Sequence, residues 1–254
     1  MRLNHLCCLI ALATCVCMNG GCAKDPYLGL DPQQKILAQS RDAAGGVGAF
    51  EACRFIVFDF VEKRDGREVT RRIHDWDRRT GVYSIQWRDA ARNETYKVQF
   101  NTNDGYERGV ALTAGGRVLR DEAERLAVCR LANDYFRHDM HWLLGHYRMA
   151  IRSTINGPVE EASPLGQPAM RLDVTWETGL TPHDEYRVWI DPTSHRAVAW
   201  SFPEGIDKHA TFTWEDWQQV GPGHFSLKHR ELDGDHEYLI ERLRVETDPG
   251  ARRP

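Results

Sequence analysis

Three residues near the middle of the chain have types and spacing that suit a metal ion. Asp134, His138 and His141 stand at positions i, i+4 and i+7, and His146 follows nearby. On an unbroken helix the first three would share one face, and carboxylate oxygens and imidazole nitrogens are common zinc ligands. The sequence offers no identifiable fourth ligand, so a solvent-facing helix edge rich in histidine is the alternative interpretation.

Two carboxylates could support hydrolysis. Asp75 and Asp77 fall on one face of a predicted strand, about 7 Å apart by strand rise, and paired carboxylates can act on glycosides. The surrounding sequence favours a different explanation, because arginines and aspartates that alternate in a hairpin are typical of a solvated surface with balanced charge. The arginines of that hairpin are Arg71, Arg72, Arg78 and Arg79.

A nucleophilic triad can also be drawn from His183 and Asp184 with Ser201 or Ser226. The sequence lacks the Gly-x-Ser-x-Gly elbow that exposes such a serine. It also has no P-loop or dinucleotide fingerprint, and no Cys-x-x-Cys pair after the first 22 residues. We therefore expect a protein that is not an enzyme and needs no cofactor, with a metal-dependent or hydrolytic enzyme as the alternative.

Composition is that of a globular protein with a large core. The chain has 254 residues, of which 41% are hydrophobic, and it contains 8 Trp, 8 Tyr and 9 Phe. This length allows one large domain or two small ones. Charged residues make up 28% of the chain and the formal net charge is −4. A nearly balanced, slightly acidic chain argues against nucleic-acid binding, which usually needs a basic face.

The first segment is typical of an export signal. Leu6–Met18 is almost entirely apolar and is shorter than the ~20 residues that a membrane-spanning helix needs. Two glycines and Cys22 follow, which resembles the lipobox of bacterial lipoproteins, where the cysteine is acylated. Residues 1–21 are then a signal peptide and residues 22–30 a tether. Cleavage before Lys24 by an ordinary signal peptidase is the alternative.

Alternating apolar and polar residues predict a mostly antiparallel β protein. The stretch Pro168–Phe202 reads as three strands, with a turn at Asp191 and Pro192 before the third. Cys53–Val61 is apolar on both faces in its middle, which predicts a central strand. Similar strands follow it to Phe100 and predict a meander. The inward residues of the first stretch are Met170, Leu172, Val174, Trp176, Tyr186, Val188, Ile190, Val198, Trp200 and Phe202.

Two helical segments and two long loops complete the prediction. A first helix is expected over 31–45, and a second begins after Asp121 and runs to about Tyr135 or beyond. Glycines and prolines predict loops at Asn103–Gly116 and Gly157–Pro168. The residues expected to form the core stripe of the second helix are Ala123, Leu126, Ala127, Leu131 and Tyr135.

Two cysteines, Cys53 and Cys129, remain after the first 22 residues. They could form one disulfide in an oxidising compartment. They could also be two separate buried thiols, since a free cysteine packs like a small hydrophobic residue. Nothing in their spacing decides between these alternatives.

The order of these elements resembles a known family. A leading helix that ends in two glycines, the strand 55–60, a meander and a helix-containing excursion precede the block Tyr-Arg-Val-Trp-Ile-Asp-Pro-Thr at 186–193 and Ala-Val-Ala-Trp at 197–200. This pattern is similar to the outer-membrane lipoprotein-sorting superfamily, the LolA/LolB-like proteins. The resemblance covers most of residues 31–245, and the 186–193 block is its most specific part.

The resemblance implies an α+β fold and a location in the bacterial cell envelope. The expected architecture is a curved, incompletely closed antiparallel β-sheet, called here a half-barrel, with helices covering its concave face. It would form one domain over residues 31–247, followed by a disordered tail at 248–254. The location it implies is the periplasmic face of a membrane, in particular the outer membrane, with Cys22 carrying the anchor.

The same resemblance implies that the partner is a lipid, an acyl chain or a lipoprotein held in an apolar cavity. Aromatic residues on the inward strand faces are suited to line such a cavity. An ordinary aromatic core is the alternative explanation for these residues, and it would fit a structural envelope protein. The candidate lining residues are Trp76, Trp87, Phe100, Trp176, Trp200 and Phe202.

Overall fold

The computed structural model of the protein describes residues 25–113, 115–149, 153–176, 185–203 and 209–247. Within these ranges there are three helices and thirteen strands. None of these helices is both long enough and apolar enough to cross a membrane. The helices are α1 (Pro32–Ala43), α2 (Gly46–Ala52) and α3 (Glu122–Arg148).

The strands form two antiparallel sheets. The larger has the order β11-β12-β13-β1-β2-β3-β4-β5, and the smaller has the order β10-β9-β8-β7-β6. The strands are β1 (Cys53–Arg64), β2 (Arg67–Asp77), β3 (Val82–Asp89), β4 (Glu94–Asn101), β5 (Gly105–Thr113), β6 (Ser153–Ala162), β7 (Pro168–Trp176), β8 (Glu185–Ile190), β9 (Ala197–Pro203), β10 (His209–Thr213), β11 (Glu215–Val220), β12 (Gly223–Arg230) and β13 (His236–Thr247).

The two sheets meet at β10. Phe212 on this strand pairs with Glu231, which follows β12, and the amide of Leu232 donates to the carbonyl of Thr211 at 2.9 Å. The strands therefore continue from one sheet to the other around a common interior without closing into a barrel. The predicted α+β fold with an open, curved antiparallel sheet is confirmed.

The strand predicted to be central is central. β1 pairs with β13 on one side and with β2 on the other. Its inward side chains Ile56, Phe58 and Phe60 are fully buried. Asp59 points to the opposite face, where it pairs with Arg71 at 2.8 Å. Both faces of β1 therefore carry buried side chains, and its backbone groups are paired on both edges.

The first helix begins and ends at the predicted residues. The Asp31 carboxylate accepts from the Gln34 amide at 2.7 Å, and Pro32 occupies the first turn, where its missing N–H has no cost. Gly45 has φ +108°, and a Cβ there would lie 2.8 Å from the Pro222 carbonyl oxygen, so glycine is needed. The chain then enters α2 directly, which the sequence pattern did not predict.

Two predicted loops are wrong, because their glycines and prolines serve strands. β5 pairs with β4, and a Cβ at Gly109 would lie 3.0 Å from Cys129 Sγ, so this glycine permits close packing. β6 is an edge strand, where proline is tolerated, and Pro158 sits at an irregularity between Asn156 and Val159. The sequence pattern predicts strands at 208–214, around Phe225 and Leu227, and at 236–245, which correspond to β10, β12 and β13, but it does not predict β11.

Helix α3 continues beyond Tyr135, the earliest end predicted for it, and the face that it buries is not the predicted core stripe. Ala123, Ala127 and Leu131, expected in the core stripe, are exposed. The buried face is rotated by about one residue, so that the i+4 series starting at Val128 points inward. That series stays apolar from Val128 to Leu144, whereas the series that starts at Ala123 reaches Asp139. Its members are Val128, Ala132, Phe136, Met140 and Leu144.

The two cysteines are separate free thiols. Cys53 and Cys129 are both buried in the main core cluster. The Cys53 thiol donates to the Ala49 carbonyl at 3.1 Å, and burial raises its pKa to about 11. Of the two alternatives, the structure therefore shows two buried thiols.

Candidate functional site

All six aromatic residues proposed to line a cavity face helix α3. Each ring centroid lies within 6.3 Å of a ring carried by the helix. Four of the six side chains are buried, and Trp76 and Phe202 are partly buried. The strand positions and their helix partners are Trp76 and Phe100 with Phe136, Trp87 with Tyr135, Trp176 and Trp200 with His141, and Phe202 with Trp142.

The helix approaches the smaller sheet closely at one glycine. A Cβ at Gly145 would lie 2.7 Å from the Trp200 ring, so any larger residue would push the helix or the ring aside. One turn earlier, Trp142 packs against Phe212 and Tyr238, with ring centroids 4.9 and 5.0 Å apart. The interior beneath α3, called here the aromatic interior, is therefore filled by rings in this state.

A buried ion pair joins the helix to the larger sheet. Arg72 on β2 donates two hydrogen bonds to Asp139 on α3, at 2.6 and 2.8 Å. The two side chains are 4% and 0% exposed. A planar, two-point geometry of this kind is the strong form of an arginine–carboxylate pair. The Arg72 guanidinium also lies 4.8 Å from the Phe60 ring centroid and 4.6 Å from that of Tyr135.

Two histidines complete the surroundings of the Asp139 carboxylate. His138 Nδ1 lies 2.7 Å from Oδ1, and His74 Nε2 lies 2.9 Å from Oδ2, although the latter is poorly aligned for a hydrogen bond. Burial alone would raise the pKa of Asp139, but the Arg72 charge and the two histidines outweigh it and hold the pKa well below its usual range. The carboxylate is therefore ionised and satisfied.

His74 is neutral in this cluster. Its ring is fully buried, and burial lowers its pKa below the ordinary histidine value. Its Nδ1 lies 2.7 Å from the Tyr83 hydroxyl, which can donate to it while Nε2–H faces Asp139. Arg72, Asp139, His74, His138 and Tyr83 are called here the buried charge cluster, and its charges balance within the cluster.

The structure does not bring the predicted metal ligands together. Asp134 is exposed, while His138 is held between Asp139 and the indole N–H of Trp142, at 3.3 Å. His141 packs among aromatic rings, and burial lowers its pKa to about 3. In the part of the chain that the structure describes, the residues whose ligand atoms do converge are Glu231, Asp235 and His236.

The residues considered for hydrolysis make other hydrogen bonds, are exposed to solvent, or lie outside the described residues. Asp77 accepts from the Arg79 amide at 3.0 Å, and Asp75 is exposed. The Ser226 hydroxyl donates to the Glu215 carbonyl at 2.7 Å. His183, Asp184 and the predicted acylation site Cys22 lie outside the described ranges.

Sequence reasoning missed the buried charge cluster, although part of its signal was present. Arg72 and His74 have the same strand parity as Trp76, whose side chain was predicted to point inward. The prediction of a solvated arginine hairpin is therefore wrong for Arg72. The prediction of a solvated arginine agrees better with Arg71, which points to the outer face and pairs with Glu241 at 2.8 Å. Asp139 could be identified as a partner on the same buried helix face only if the helix was continued beyond Tyr135.

Comparison with known proteins gives likenesses of fold. No protein-family model and no curated protein sequence matches the chain. The structure is similar to that of a LolA superfamily protein from Nitrosomonas europaea, at 9% identity and a TM-score of 0.49, over 85% of this chain and 94% of that one. It is also similar to a domain described as an outer membrane lipoprotein-sorting protein from Vibrio parahaemolyticus, at 12% identity and a TM-score of 0.45, over 83% and 91% of the two chains. The function of this chain therefore has to be argued from its own residues.

Proposed function

We propose that this protein binds an acyl chain or lipid in the aromatic interior, as a non-enzymatic module of the bacterial cell envelope. The observation that supports this proposal is the arrangement of aromatic side chains from five strands against a single helix. A curved sheet with such a face can enclose an elongated apolar ligand once its cover moves.

The chain would enter as α3 separates from the concave face, because the interior is filled while the helix is docked. Apolar contacts between helix and sheet would be replaced by contacts with the ligand, so the rings would stay out of water. Burying eleven methylene groups contributes roughly 9 kcal/mol in total at ~0.8 kcal/mol each. Opening also separates Arg72 from Asp139, but both side chains then regain water, so neither is left as an unpaired buried charge.

The envelope location and the anchor belong to the same proposal. Residues 1–21 would direct export, and acylation of Cys22 would hold the protein on the periplasmic face of the outer membrane. Metabolic labelling with a fatty acid tests this in cells that express the chain or its Cys22→Ser variant. We expect the label to be lost in the variant, and an unchanged signal would exclude Cys22 as the acylated residue.

Tryptophan quenching by a brominated fatty acid tests binding. Seven of the 8 tryptophans belong to the main core cluster or pack against it. The remaining one, Trp189, lies in a separate small cluster, where its indole N–H donates to Glu161 at 2.7 Å. Saturable quenching by dibromostearate, but not by stearate, is the expected result.

Trp189→Phe is the matched control, since it should leave the quenched fraction almost unchanged. Quenching that disappears with Trp189 would place the ligand on the outer face, and absence of quenching would contradict lipid binding.

Native mass spectrometry of the purified protein separates the alternatives. Bound zinc would support a metal-dependent enzyme, and the absence of both lipid and zinc would support a structural role.

A further inference from the structure

Four buried side-chain nitrogens around Trp214 have no hydrogen-bond partner among the described residues. They are Trp214 Nε1, Trp200 Nε1, His229 Nε2 and His146 Nδ1. The rings of Trp200, His229 and His146 have centroids 4.6, 4.6 and 5.8 Å from that of Trp214. Buried polar atoms in proteins are normally paired with a protein group or water. Four unpaired nitrogens on four neighbouring rings leave hydrogen bonds that a polar group from outside the chain could make.

The hydrogen-bonding character of the two imidazole nitrogens follows from their partners. His229 Nδ1 lies 3.2 Å from the Thr213 carbonyl, so it carries the proton and leaves Nε2 as an acceptor. His146 Nε2 lies 3.1 Å from the His224 carbonyl, so its Nδ1 is the acceptor. Indole nitrogens only donate. The set of four is therefore two donors and two acceptors.

The four groups carry no charge. Burial lowers the pKa of both His146 and His229 to about 3, so the two imidazoles are neutral at ordinary pH. Glu215, a nearby carboxylate, is paired with Arg230 at 3.1 Å. A charged ligand group would be buried here without a counter-charge, which is strongly unfavourable. The site therefore suits a neutral group that both accepts and donates.

We propose that these four nitrogens form a subsite for a hydroxyl group on a neutral lipid. Trp200, Trp214 and His229 would present their nitrogens from the sheet side while α3 is displaced, and His146 would add the fourth when the helix docks again over the bound chain. A hydroxyl oxygen can accept from an indole N–H while its proton goes to an imidazole nitrogen. The surrounding rings, including Trp142 and Phe212, suit the attached chain. This inference rests on the proposed function and specifies the class of ligand, an alcohol such as a long-chain alcohol or a monoacylglycerol.

Competition against dibromostearate with three probes of one chain length tests the subsite. Dodecan-1-ol offers a donor and an acceptor, its methyl ether offers an acceptor only, and dodecanoate at pH 8 carries a charge. We expect the alcohol to bind about tenfold more tightly than the ether, the value of one ordinary hydrogen bond, and more tightly than dodecanoate. Equal affinities for the three would overturn the subsite while leaving lipid binding intact. Failure of both dibromostearate and the neutral dodecan-1-ol to bind would contradict the proposed function itself.

His229→Phe keeps a ring in place and removes an acceptor for the hydroxyl proton, and Trp189→Phe is the control on the outer face. We expect the first variant to lose most of the preference for the alcohol over the ether, because only the alcohol has a proton to donate, and the second to keep it. His146→Phe removes the other acceptor and gives a second measurement if His229→Phe unfolds. A preference that survives in both interior variants would mean that water, and not a ligand, fills these hydrogen bonds.

Discussion

Replacement of Arg72 by Met tests the buried charge cluster most severely. The substitution leaves the Asp139 carboxylate, which is 0% exposed, without its counter-charge. Breaking a buried pair in this way costs about 3–5 kcal/mol, a large part of the ~5–15 kcal/mol by which domains are stable. Asp139→Leu should cost a similar amount, because the guanidinium is then the unpaired charge.

The double variant Arg72→Met/Asp139→Leu should be more stable than either single variant, because no charge is left buried. His74 and His138 lose a partner in it, so we expect it to remain about 1–3 kcal/mol below the original protein. Urea unfolding at pH 7.5, followed by tryptophan fluorescence, measures all four states of the cycle.

Arg71→Met is the matched control on the neighbouring residue of the opposite face. Its side chain is 32% exposed, and its partner Asp59 keeps a contact with Arg242, so we expect a loss of about 1 kcal/mol or less. The reasoning is refuted if the losses of the two interior variants simply add, or if Arg71→Met is as harmful as Arg72→Met.

Two further predictions concern pH and packing. His146 and His229 have pKa values of about 3 in the folded protein and ~6.5 when unfolded, so the unfolded state binds more protons below pH 6.5. The free energy of unfolding should therefore fall as pH drops from 6.5 towards 3. In urea titrations at several pH values, His229→Phe should reduce the slope of this free energy against pH by about 1.4 kcal/mol per pH unit. An unchanged slope would contradict the buried neutral state. Gly145→Ala should lower stability by about 1–3 kcal/mol, because its methyl group meets the Trp200 ring, whereas Gly48→Ala, which meets nothing within 4 Å, should not. Thermal unfolding of the two variants compares these sites, and equal melting temperatures would mean that α3 does not press on Trp200.

The sequence predicted the fold where local chemistry and global packing agree. Strand alternation from Met170 to Phe202 located three strands of the smaller sheet, and the Asp31 cap located the first helix. Glycine was misleading at Gly109, because its role there is to admit the Cys129 sulfur and not to form a loop. Such a reason lies in the tertiary contact, and it cannot be found in the local pattern.

The same limit applies to the site. Strand parity identified the inward aromatics, and by the same parity Arg72 belonged with them. Nothing local revealed that an arginine could be buried, because its partner Asp139 is 67 residues away on a helix. The face of α3 was ambiguous for a related reason, since two neighbouring i+4 series both carry apolar residues in the first half of the helix. Packing against the sheet selects the series that stays apolar as far as Leu144.

The claim that a ligand enters beneath α3 can be tested with one engineered crosslink. A Cβ at residue 109 would lie 3.0 Å from Cys129 Sγ, close to the roughly 3 Å between a Cβ and the partner sulfur in a disulfide. Oxidised Gly109→Cys protein would therefore have β5 and α3 joined. The reduced protein and the Gly109→Cys/Cys129→Ala variant are the controls.

Dibromostearate affinity of the oxidised and reduced forms is the decisive measurement. We predict at least a tenfold loss on oxidation that is reversed by dithiothreitol, and no loss on oxidation of the double variant. Equal affinity in the crosslinked and reduced forms would show that the chain binds without movement of α3, and it would contradict the account.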